Sequence, residues 1–265
     1  SGEVIAEVIY ANYGRKEDFE KLQHMGIDIS GKIVIARYGG NFRGYKAKFA
    51  EAAGAAGLII YTDPIDSGYF KGLAYPEGPY YSESTIQRGS LLTEDFTGDP
   101  LTPYEPALPL DGMIKIKRKK PEDAQLHSIP VTPIGYGAAK EILGQMNGDV
   151  VPEGWQGGLP FTYRLQGGSD LKVFLEVNQP REFVRVQNVI GTVKGSLYPD
   201  EWVILGCHLD AWGFGATDPS SGTAMLLSLS ETLGKLVTEG KGPKRSILIG
   251  HWDAEEHGVI GSTEW

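Results

Sequence analysis

A single cysteine, Cys207, stands among the 265 residues, which excludes an internal disulfide and any zinc cluster built from thiolates. No stretch is apolar for long enough to span a bilayer, and the first ten residues lack the basic start and apolar centre of a secretory leader. Positive charge is scarce: 25 Lys and Arg face 34 Asp and Glu. The resulting net charge of −9 argues against nucleic acid as a partner and suits a metal-binding chain. One basic run, KIKRKK at residues 115–120, is short and alternates at its start, as expected of a solvated edge or an exposed turn. The glycine-rich pieces form no GxxxxGKS or GxxxxGKT phosphate loop, and there is no GxSxG elbow; Ser221 in PSSG reads as a helix-start residue. Nucleotide chemistry and serine hydrolysis are therefore unsupported.

What is present gathers around two apolar runs. Residues 246–261, SILIGHWDAEEHGVIG, open as a buried strand and then place Glu255 and Glu256 just past its end. Residues 202–205 form another short run, ending in GCHLDAWGFGATDPSSG with His208, Asp210 and Asp218. A helical stretch at residues 221–236 separates the two, which is the βαβ pattern of a parallel sheet. Groups past the ends of neighbouring parallel strands meet at one edge, where open α/β sheets carry their chemistry.

One imidazole among carboxylates is a ligand set for zinc or a related divalent ion, and a carboxylate shared between two ions builds a two-metal hydrolytic site. Asp218 is the candidate bridge. Asp210, two residues after His208, is placed to orient the imidazole through its second nitrogen. Of the adjacent glutamates, one can bind metal while the other takes a proton from water. Cys207 faces away from His208 if the two share a strand, and reads as a buried structural thiol.

The segments HLDAWGFGATDPSSG and WDAEEHGVIGSTEW resemble the zinc-binding motifs of the glutamate carboxypeptidase II family, metallopeptidases of the aminopeptidase-like α/β fold. NYGRKEDFEKL, GKIVIARYG, FRGYKAKFAEAAGAAGLIIYTDP, GDPLTP and SIPVTPIGY resemble that family's protease-associated domain, so the likeness runs along the whole chain. By position it implies His208 as ligand of one zinc, Asp218 as the bridge, Glu256 as ligand of a second zinc and Glu255 as the general base. It further implies that Arg43, in FRGYK, grips a substrate's free α-carboxylate, a geometry that suits a guanidinium fork. The family's neighbouring side-chain reader is an asparagine where this sequence has Tyr80, a departure that bears on glutamate preference. A structural calcium is implied at Thr102, Tyr104 and Glu264, since oxygen ligands suit a hard cation.

The expected fold is α/β. A protease-associated domain, a β-sandwich or barrel with flanking helices, takes residues 1–182, and the first part of a zinc-peptidase domain takes residues 183–265. Strands are expected at 2–13, 32–38, 58–61, 171–178 and 183–193, and helices at 16–25, 45–56 and 138–146. Residues 65–110, dense in Gly, Pro, Tyr and Ser, read as a long loop region. The chain opens directly as a strand and stops inside a segment expected to continue as a helix, so it reads as a fragment of a longer protein. The resemblance places a further aspartate and histidine of the zinc pair beyond Trp265, and these residues alone are expected to form an incomplete site. For the whole protein it implies a di-zinc exopeptidase acting on peptides, carboxypeptidase-like, with a possible C-terminal glutamate preference. It also implies a homodimer in an extracytoplasmic location, periplasmic, secreted or as a membrane-anchored ectodomain. The rival reading is a non-catalytic protein-binding module, either transferrin receptor-like, because relatives with this architecture bind protein without zinc, or a protease-associated domain that serves interaction without chemistry.

Overall fold

The computed structural model describes residues 1–124 and 126–265, and the chain divides into two compact units. Unit 1 comprises Ser1–Thr93 and Leu126–Arg181; unit 2 comprises Glu94–Gln125 and Glu182–Trp265. Residues 94–125 therefore group with the second unit, although the sequence reading placed everything up to residue 182 in the first.

Unit 1 is built on strands β1 (Gly2–Tyr10), β2 (Ile33–Arg37), β3 (Gly57–Tyr61), β4 (Val131–Ile134) and β5 (Lys172–Val177), in the order β4-β3-β2-β1-β5. The first four run parallel and β5 pairs antiparallel with β1. Helices α1 (Lys16–His24) and α2 (Arg43–Ala52) make the first two crossings; the one-turn α3 (Pro64–Ser67) follows β3, and α4 (Tyr136–Leu143) follows β4. Parallel neighbours need such crossings, which is why the expected sandwich or barrel is instead one open, helix-crossed sheet. Every residue of β2 and β3 is buried, and the registers Val34 to Leu58 and Ile35 to Ile59 lay aliphatic side chains in rows. On α1, Phe19 and Leu22 turn inward; on α2, Ala47 and Ala50 do so.

Helix α2 begins two residues earlier than expected and ends at Ala52, because Gly54, with φ of 84°, takes the left-handed turn and Gly57 already belongs to β3. One lysine is fully buried on this helix. The Lys46 ammonium donates to the carbonyls of Tyr13 and Gly39 (2.7 Å) and to Asn41 Oδ1 (2.7 Å), so all three of its protons are satisfied, while burial pulls its pKa down to about 7.

Unit 2 has a three-stranded sheet in the order β6-β8-β7, from β6 (Val189–Val193), β7 (Tyr198–His208) and β8 (Arg245–Trp252). Strands β7 and β8 are parallel and joined by α5 (Ser220–Thr238); α6 (Ile260–Glu264) follows β8. Their registers pair Cys207 with His251 and His208 with Trp252, so both strands end at the same level. The run on β7 is not buried as a core strand would be: Trp202, Val203 and Ile204 are exposed at the sheet's edge. Among the described residues, no helix is long and apolar enough to cross a membrane.

Candidate metal centre

The common ending of β7 and β8 puts two loops side by side. His208 closes β7, the following loop carries Asp210 and Asp218, and the turn after β8 carries Glu255 and Glu256. One ligand atom from each of His208, Asp218 and Glu256 lies within 4.8 Å of the others. His208 Nε2 is 2.7 Å from Asp218 Oδ1, and its Nδ1 is 2.9 Å from the main-chain carbonyl of Asp210. Both ring nitrogens thus face oxygen acceptors, an arrangement satisfied only when both carry a proton. Burial pulls the imidazole pKa down, but the bonds to Asp218 and to the Asp210 carbonyl, with the charges of Glu255 and Asp218, outweigh it and leave the pKa raised. His208, Asp218 and Glu256 together offer one nitrogen and two carboxylate oxygens close enough that they would hold a divalent cation. On that chemistry the residues fit zinc.

Asp210 works differently from the expectation that its side chain would hold the imidazole. Its main-chain carbonyl makes the closer contact, its carboxylate standing 3.6 Å from Nδ1. That carboxylate instead accepts the main-chain N–H groups of Glu255 (2.9 Å) and Glu256 (3.1 Å), one oxygen each. One residue thereby fixes the imidazole of one loop and the paired glutamates of the other. The Glu255 carboxyl is held above the usual carboxylate range by burial, with Glu256, Asp210 and Asp218 adding to the shift against the opposing charge of His208. That is the direction a general base requires.

The glutamate turn is also held from behind by residues that the sequence did not single out. Asp253 Oδ1 accepts the N–H of Ala254 (2.9 Å) and Oδ2 that of Gln187 (2.8 Å). Asn188 takes the Asp253 N–H on its side-chain oxygen (3.0 Å) and donates to the Gly261 carbonyl (2.7 Å). Ala254 and Val259, flanking the turn, sit in the left-handed region with φ of 53° and 57°. For a β-branched residue such as Val259 this is strained backbone, kept only where surrounding bonds over-determine it. Cys207 points away from the ligands, with Sγ 3.4 Å from His251 Nδ1 and 3.6 Å from Thr223 Oγ1, and it is half-buried rather than buried.

The remaining predicted residues lie elsewhere. Thr102, Tyr104 and Glu264 line one pocket of unit 2. Glu264 Oε1 accepts the Asp99 N–H (2.8 Å) and Oε2 the Ala107 N–H (2.5 Å), so the carboxylate staples the 99–107 loop. Thr102 is buried with its hydroxyl unpartnered, and Tyr104 is exposed with φ of 65°. These oxygen groups suit a hard cation in kind. In unit 1, Arg43 is the first residue of α2 and donates from Nη1 to the Ser90 carbonyl (3.1 Å). Tyr80 closes a turn, its N–H bound to the Leu73 carbonyl (3.2 Å) and its carbonyl taking the Tyr75 N–H (2.8 Å).

Comparison with known proteins matches two parts of the chain to known families. Residues 188–265 match Peptidase family M28 and residues 1–90 match the PA domain. The chain is 39% identical over 273 residues to a glutamate carboxypeptidase 2 homolog of Caenorhabditis briggsae, covering 100% of this chain and 35% of the relative. It is 41% identical over 273 residues to aminopeptidase NAALADL1 of Rattus norvegicus, covering 97% and 35%. Transferrin receptor protein 2 of Mus musculus is 34% identical over 266 residues, with 100% and 32% covered. The chain spans about a third of the length of these curated relatives.

Proposed function

From a chain that carries a PA domain and part of a family M28 peptidase domain, we propose that the whole protein is a zinc metallopeptidase hydrolysing peptide bonds at chain ends. The observation that carries this reading is the convergence of His208, Asp218 and Glu256, with Glu255 held beside them by the same Asp210 carboxylate. Zinc bound there supplies Lewis acidity toward the scissile carbonyl and the attacking water. Glu255 takes the proton of that water and returns it to the leaving amine, a task matched to its raised pKa. Asp210 keeps the base and the adjacent ligand in register throughout.

The finer reading takes two zinc ions with Asp218 between them. Three ligand groups cannot complete the shells of two ions, each of which prefers about four partners, so this reading requires ligands from elsewhere in the whole protein. The substrate class is a peptide with a free terminus, read carboxypeptidase-like with possible preference for C-terminal glutamate. Relatives named for carboxypeptidase and for aminopeptidase both support exopeptidase action, and the Arg43 guanidinium supports recognition of a carboxylate. A structural calcium at Thr102, Tyr104 and Glu264 belongs to the same reading. So do an extracytoplasmic location and a homodimer, which rest on family resemblance, with no nucleic acid as partner.

A second reading, a binding module without chemistry, has the likeness to transferrin receptor protein 2 in its favour. The joint presence of His208, Asp218, Glu255 and Glu256 weighs against it. The deciding experiment measures zinc content and hydrolysis by the full-length protein on peptides ending in glutamate and in neutral residues. Bound zinc with cleavage supports the peptidase; neither zinc nor cleavage leaves the binding module.

A further inference from the structure

The Arg43 guanidinium occupies a niche that exists because residue 89 has no side chain. A methyl group placed on Gly89 would lie 2.1 Å from Arg43 Cζ, 2.2 Å from Nη1 and 2.5 Å from Nε, far inside contact distance. The guanidinium is further tied to the Ser90 carbonyl and lies 5.2 Å from the centre of the Phe42 ring. Only one of its five N–H donors is engaged by these bonds, and among the described residues no carboxylate pairs with it within 4.0 Å.

The segment that forms the niche cannot give way easily. On one side of Gly89, the Tyr38 hydroxyl donates to the Gln87 carbonyl (2.8 Å). On the other, the Leu91 carbonyl rests against Gly44, where an added methyl group would lie 2.5 Å from it. The segment is thus hydrogen-bonded at residue 87 and packed against the α2 backbone at residue 91, and the arginine tip is the more flexible partner.

We propose that Gly89 is the positioning residue for Arg43, setting where its guanidinium meets a substrate carboxylate. This rests on the reading of Arg43 as the carboxylate-binding residue. Gly89 does not adopt the left-handed backbone that only glycine tolerates well, so alanine is conformationally allowed there. The clash falls on the flexible end of a side chain, so Gly89→Ala displaces the guanidinium at little cost to folding. Gly44→Ala, by contrast, meets a main-chain carbonyl and disturbs the segment itself.

The test uses the full-length protein, with KM and kcat measured on peptides with a free C-terminal carboxylate and on their amidated counterparts, and thermal melts recorded beside them. Gly89→Ala is expected to raise KM for the free-acid peptides about tenfold, the scale of one hydrogen bond to a charged group, with the loss falling on KM rather than kcat. Arg43→Ala is expected to do the same, and the double variant to be no worse than Arg43→Ala alone, because both remove one interaction. If Arg43→Ala raises KM and Gly89→Ala does not, or if their effects add, the positioning role is overturned. An unchanged KM in Arg43→Ala overturns the reading of Arg43 and the proposal with it.

Discussion

The two units differ in how much apolar surface they bury. Unit 1 has a continuous aliphatic core in which β2 and β3 are buried along their whole length, and its stability rests on apolar area removed from water. Unit 2 buries few apolar side chains, with Leu226, Leu248, Ile249 and Ala254 prominent among them. With so small a core, its loops depend on carboxylates accepting main-chain N–H groups: Asp210 on residues 255 and 256, Asp253 on 187 and 254, Glu264 on 99 and 107. Unit 1 also uses this device, where Asp63 holds residues 65 and 158. Such bonds are directional where hydrophobic contact is not, so they can hold ligand atoms to a geometry that a core would only enclose. The difference teaches that packing makes the scaffold here and charge-assisted hydrogen bonds make the site.

That contrast can be broken most severely at Glu255. In the full-length protein, Glu255→Gln is expected to lower kcat by roughly 10² to 10⁴, the usual weight of a general base, while zinc content and melting temperature stay near wild type. Retained turnover would remove Glu255 from the chemistry. In unit 1 the matching blow is to the core: Ile35→Ala, at a fully buried position of β2, is expected to cost about 2–5 kcal/mol in denaturant titration. Asp210→Asn keeps the main-chain bond to His208 but weakens the acceptors for residues 255 and 256. Zinc affinity should fall about 10- to 100-fold with a much smaller change in stability, as measured by competition with a chelator.

The raised pKa of His208 gives a pH test with a definite sign. Its proton on Nε2 must leave before a cation binds, so apparent zinc affinity should rise with pH, up to about tenfold per unit, and level off above the raised pKa. In the metal-free protein the same group adds stability that is full below the ordinary histidine pKa and is lost as pH rises through the raised one. A flat zinc affinity between about pH 5 and 8, the range around the ordinary histidine pKa, would contradict the assignment. The smallest effect is expected at Ile204 on β7, which is half-exposed: Ile204→Ala should cost this chain about 1 kcal/mol or less, against the several lost at Ile35.

The same division explains what was legible in the sequence. Strands β2 and β3 announce themselves because burial on both faces demands unbroken aliphatic runs, and His208, Asp218, Glu255 and Glu256 stand out because reactive side chains cluster at strand ends. Strand β7 extends well beyond residues 202–205 because an exposed edge strand imposes no pattern on Asp200 or Glu201. The grouping of residues 94–125 with unit 2 depends in part on Glu264 reaching back more than 150 residues, which no local rule reveals. Asn188, Asp253 and the carboxylate of Asp210 were hidden for a related reason: they bind main-chain groups, and main-chain groups leave no trace in residue identity.

The most direct test of the central claim is anomalous diffraction at the zinc edge from crystals of the full-length protein. A peak bonded to His208 Nε2 and to the carboxylates of Asp218 and Glu256, lost in Asp218→Ala, is the predicted result. Zinc-loaded crystals with no peak at these side chains would contradict it.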